Sequence, residues 1–115
     1  MTAVPAVERE DVRRILHALA GDVQPLAVLA AVMLDEALRV AASDATDKRL
    51  GAYPLEARAW LVHSADAVDW LAILLDAAGW DVDPAAALAY LLRGEHWLDA
   101  DARLALDARR ADASR

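Results

Sequence analysis

Residues 54–78, PLEARAWLVHSADAVDWLAILLDAA, decide how this chain folds. Pro54 suits a first helical turn, where its missing N–H has no partner to lose, and Gly79 follows as a left-handed stop. Between them there is no Gly and no second Pro, and Ala and Leu, the strongest helix formers, dominate. The stretch therefore predicts one long helix, the third in the chain. On a helical wheel Leu61, Val68, Leu71 and Leu75 share one arc, the expected core face, while Val62, Asp66, Asp69 and Ile73 lie on the opposite arc. An amphipathic helix of this length needs other helices to cover its apolar side.

The rest of the chain supplies them. Of the 115 residues 58% are hydrophobic, yet there is no Phe, and the apolar mass comes from Ala, Leu, Val and four Trp. Residues that favour strands are scarce. The length suits one domain, residues 1–115, that buries roughly two-thirds of its unfolded surface without staples. A first helix is predicted over residues 5–20, with Val12, Ile15, Leu16 and Leu19 on one stripe and Gly21 as its stop. A second extends over residues 25–42; its PLAVLAAVML run is apolar on nearly every face, so it should be the most enclosed helix. Residues 43–53, SDATDKRLGAY, form the longest connection, a surface loop that could gate a cleft. Asp83-Pro84 starts the fourth helix and Gly94 closes it. A last helix, residues 99–111, has thin apolar content, Leu104 and Leu106, and is expected to dock weakly. The expected fold is all-α, a single-domain bundle of four main helices plus a short C-terminal helix.

Several function classes are disfavoured. Without Cys there is no disulfide and no thiolate metal site. The longest apolar run, residues 25–34, is half a membrane span, and MTAVPAVERED lacks the basic and apolar regions of a secretory leader, so a cytoplasmic protein without a membrane partner is expected. The formal charge is −7; residues 51–115 carry six basic and eleven acidic side chains. Direct nucleic-acid binding is disfavoured by that sign, and a helix opening Leu98, Asp99, Ala100, Asp101 would be repelled by DNA. There is no phosphate-binding glycine loop, nucleophile elbow or zinc-protease motif.

Chemistry, if present, is expected on the third helix. His63, Asp66 and Asp69 are spaced three apart and would lie along one helix edge. Two carboxylates and an imidazole can hold a divalent cation, the carboxylates suiting Mg²⁺ or Mn²⁺. The simpler alternative is that these acids keep an apolar helix soluble. Trp70, beside them, is the expected anchor of a partner surface that includes Asp66, Asp69 and Ile73, because Trp is enriched in interface hot spots.

The segment DAVDWLAILLDAAGWDVD, residues 66–83, resembles the third-helix segment of the MazG-like all-α nucleoside triphosphate pyrophosphohydrolases. In that family an ExxD pair opens an apolar run ending in Gly, an aromatic or apolar residue, and Asp. The resemblance covers residues 30–83 and places Asp66 and Asp69 at that pair, with the family's preceding ExxE pair falling on Glu36 and Arg39 in LDEALR. It implies an all-α bundle in which carboxylates hold Mg²⁺ to bridge substrate phosphates and orient the attacking water. Under it the metal residues are Glu36, Asp66 and Asp69, with His63 beside them. The chain departs from the pattern where Arg39 stands for a carboxylate and Asp66 for a longer Glu.

The leading functional expectation is not catalytic. Residues 66–107 carry nine acids against Arg93 and Arg103, and such a face can occupy a basic surface of a partner as a decoy or inhibitor. This reading expects no cofactor, with a protein partner or self-association; a Mg²⁺-dependent nucleotide pyrophosphohydrolase, or its inactive relative, is the alternative.

Overall fold

The structure is a computed structural model that describes residues 25–113. Five helices follow one another: α1 (Pro25–Ala41), α2 (Tyr53–His63), α3 (Ala65–Ala77), α4 (Pro84–Leu92) and α5 (Ala100–Ala113). Among the described residues there is no strand, and the chain is all-α, as expected. The helix expected over residues 5–20 lies outside the described residues. Helix α1 packs against α2 and α3, α3 also against α4, and α5 against α4 and α2. Leu34 and Leu38 of α1, Leu61 of α2, Leu71, Leu74 and Leu75 of α3, and Leu88 and Leu92 of α4 are fully enclosed in one core. Ala27, Ala30, Ala31 and Ala41 make up the rest of α1's inward stripe, and short side chains let helix axes approach closely.

The long third helix expected from the sequence is two helices. Ser64 leaves the helical region at φ −79 and ψ 130, and its hydroxyl accepts from the Asp66 N–H at 3.2 Å. Ser is among the best N-cap residues because its oxygen satisfies one of the N–H groups that a helix start leaves unpaired. Asp66 in the following first turn adds a favourable charge at the positive end of the α3 dipole. The break leaves the last carbonyls of α2 without helical partners. Arg109 of α5 fills that gap, donating to the carbonyls of Leu61 and Val62. Burial there pushes the Arg109 guanidinium below its ordinary pKa.

A second arginine closes α1 in the same way. Arg58 Nε donates to the Ala41 carbonyl at 2.9 Å and its Nη2 to the Ser43 carbonyl at 3.0 Å, while its guanidinium sits 5.7 Å from the Trp97 ring centroid. Three other boundaries close through local caps, two of them, Gly79 and Asp83, at their sequence signals. Gly79, at φ +75, places its N–H on the Asp76 carbonyl and lets the Trp80 N–H reach the Leu75 carbonyl at 2.9 Å, a Schellman closure of α3. Asp83 and Asp99 cap α4 and α5 by accepting from the N–H groups of Ala86 and Ala102.

Helix α5 is held more firmly than its sparse apolar content suggests. Leu106 is buried, Ala102 and Ala105 pack against the core, and Arg109 adds its carbonyl contacts. Leu104 alone of its two leucines faces outward.

Candidate functional site

Helix α1 is not the enclosed helix that its apolar run implied. Its inward stripe leaves Leu26, Leu29, Val32 and Met33 on another side, where they are 54%, 47%, 47% and 36% exposed. Leu26, Leu29 and Met33 follow the i, i+3, i+7 spacing of one helix face, and Val32 lies three residues after Leu29, so they form a continuous apolar strip. The strip runs into a groove of about 710 Å³ between α1 and α2. Val32, Met33, Ala37 and Val40 form the α1 wall, and Tyr53, Ala57 and Trp60 the α2 wall. Glu36 and Glu56 are the carboxylates of its lining, and both are exposed. A concave apolar trough with few polar groups is the usual form of a binding site.

The loop of residues 42–52 contributes Ser43 and Leu50 to this groove and is shaped by two short-range carboxylate contacts. Asp44 Oδ1 accepts from the Thr46 hydroxyl at 2.7 Å and the Thr46 N–H at 2.9 Å. Asp47 accepts from the Arg49 guanidinium at 2.9 and 3.2 Å and from the Arg49 N–H at 3.0 Å. Gly51 takes φ +58, a left-handed turn that a side chain would oppose. The Thr46 hydroxyl, then its N–H, holds Asp44 below the ordinary carboxylate value, and the Arg49 side chain does the same for Asp47. A carboxylate that ionises more readily in the folded chain contributes stability at neutral pH that is lost as pH falls through its depressed value. An NMR acid titration is therefore expected to find Asp44 and Asp47 below the model-peptide range, with Thr46→Val raising Asp44 and leaving Asp47 where it was. A normal value for Asp44 in the unsubstituted chain would contradict this loop geometry.

The residues singled out on the third predicted helix are distributed differently. His63 ends α2 and Asp66 begins α3, with the extended Ser64 between them, so the expected continuous edge of His63, Asp66 and Asp69 is interrupted. Asp66 and Asp69 are exposed on α3, one turn apart. Glu36 lies on α1 and is bonded to Arg39, the residue at the place of the fourth carboxylate. Among the described residues no three His, Asp or Glu side chains gather as metal ligands. Trp70 and Ile73 are half-buried and pack against the core, and Val62, expected on the outer arc, is buried.

The α1 strip was missed because a run that is apolar all round carries no sign of which side faces out. The available signal was the spacing of the small residues: Ala27, Ala30, Ala31 and Ala41 with Leu34 and Leu38 trace the inward stripe, and the large residues left over mark the outward one. No helix among the described residues is long and apolar enough to cross a membrane. No protein-family model, curated protein or solved structure matches this chain.

Proposed function

We propose that this chain is a non-catalytic protein-binding module whose docking surface is the groove between α1 and α2, and whose occupant is an amphipathic helix with a basic flank. The observation that carries the reading is the strip Leu26, Leu29, Val32 and Met33 running into a trough with Glu36 and Glu56 in its lining. Contiguous exposed apolar surface on a small protein marks an interaction site. An apolar helix face laid into such a groove, anchored at i, i+3 and i+7, is a common recognition mode. The carboxylates and the overall charge of −7 favour a basic partner by steering its approach and disfavouring acidic competitors. The partner surface thus moves from Trp70 to α1, and the acidic character keeps its role in selecting the partner.

The test uses two designed helical peptides, one of Leu and Lys and one of Leu and Glu, titrated into the full chain and followed by fluorescence anisotropy. The Leu/Lys peptide is expected to bind, more weakly at high salt, and Val32→Glu to weaken it by about tenfold or more. Glu is a better helix former than Val, so folding of the variant should not suffer. Equal binding of the Leu/Glu peptide would refute the charge argument, and indifference to Val32→Glu would refute the groove. A self-associated chain that Val32→Glu renders monomeric, with no peptide binding, would assign the strip to a second copy instead. The nucleotide-hydrolase reading requires Glu36, Asp66 and Asp69 to share Mg²⁺. Added Mg²⁺ or Mn²⁺ is expected to leave the thermal midpoint unchanged, and a midpoint that climbs with metal concentration would favour the hydrolase.

A further inference from the structure

The apolar strip that leads into the groove starts at Leu26, the second residue of α1. Residues 21–24, GDVQ, join α1 to the helix that the sequence predicts over residues 5–20. A connection of that length is usual between two helices that turn back on one another. The predicted helix would be about 24 Å long and α1, with its 17 residues, is about 26 Å, so the two match in reach.

We infer that residues 5–20 fold back along α1 and cover the strip and the groove mouth, so that the chain carries its own competitor for the partner helix. The register of such a hairpin carries the inference. An antiparallel return through residues 21–24 sets Leu19 opposite Leu26, Leu16 opposite Leu29, Val12 opposite Met33 and Arg9 opposite Glu36. Three apolar pairs and one pair of opposite charge fall in line together, and the apolar pairs take up three of the four exposed residues of the strip. The flanks agree as well. Arg9 and Arg13 lie to one side of the segment's apolar stripe, and Glu8 and Asp11 to the other. In an antiparallel return the arginine side falls toward the α2 wall, where Glu56 lines the groove. The segment is thus an amphipathic helix with a basic flank, the chemistry proposed above for the occupant. This inference rests on that docking surface and adds its regulation. A tethered helix competes at high local concentration, and the apparent affinity for a partner falls with the fraction of chains whose groove is open.

The chain has no cysteine, so introduced pairs report the docking in the full chain. Leu16→Cys with Leu29→Cys is expected to bridge within one chain under a short bismaleimide, whereas Leu16→Cys with Leu104→Cys, which places the second thiol at an exposed position of α5, is not. Bridging the first pair should weaken binding of the Leu/Lys peptide by tenfold or more against the same variant before bridging. Leu16→Asp should tighten that peptide by roughly tenfold over the unsubstituted chain. No bridge between residues 16 and 29, bridging only between two chains, or equal bridging of both pairs would overturn the fold-back. A peptide affinity indifferent to Leu16→Asp would overturn the competition; if Val32→Glu still weakens that peptide, the docking surface stands and only its self-covering falls. Failure of the peptide to bind any variant, Leu16→Asp included, would remove the docking surface and this inference with it.

Discussion

Truncating Leu71 to alanine is expected to destabilise the chain by about 3 kcal/mol and to lower its thermal midpoint by roughly 10–20 °C. Leu71 is fully enclosed at the centre of α3, among leucines from the same core. The loss combines the transfer free energy of the removed carbons with the cavity left behind, since packed surroundings relax only in part. Urea unfolding followed by circular dichroism checks the magnitude, and an unchanged dependence on urea would show that the cost falls on the native packing. A loss under about 1 kcal/mol, the scale of a surface substitution, would mean that α3 does not seat this face inward. Much of the architecture would then be wrong, because α3 packs on both α1 and α4.

Arg109→Ala tests a different kind of contact. Its guanidinium reaches from α5 to the carbonyls of Leu61 and Val62, forty-seven residues away in sequence for the second of them. Removing it leaves two part-buried carbonyls without a donor, and hydrogen bonds to charged groups are worth about 2 kcal/mol. The expected result is a loss near that size, with faster amide exchange along α5, whose apolar contacts with the core include Leu106, Ala102 and Ala105. Arg109→Lys is expected to recover less than half, since an ammonium lacks the planar fork that spans two acceptors. Unchanged stability and unchanged exchange in Arg109→Ala would show that the contact holds nothing together.

Where the sequence was legible, the reason lies in short-range backbone chemistry. Asp83-Pro84 and Gly79 mark their boundaries because capping and positive φ are decided by one or two residues. Leu61, Leu71 and Leu75 of the third predicted helix were likewise readable as core from helical spacing. Ser64 shows the limit. It carries an N-cap preference, but apolar spacing continues on both sides of it, and whether a serine caps or rides along depends on what satisfies the carbonyls before it. Here that partner is Arg109, which no local window contains. The candidate site was hidden for a related reason. Which flank of an all-apolar helix faces outward is settled by its neighbours, so the Trp70 side could be named from composition while the α1 strip could not.

The alanines within the inward stripe of α1 bear on how this molecule can change over generations. A surface made of methyl groups is specified by the carbons it lacks, so any inherited enlargement at Ala30 or Ala31, both completely buried, wedges neighbouring axes apart, at about 1–3 kcal/mol. Leucine sites tolerate isomers of like volume. Descendants of this chain should therefore drift freely in the kind of branched residue they pack, and hardly at all in the thinness of that single flank.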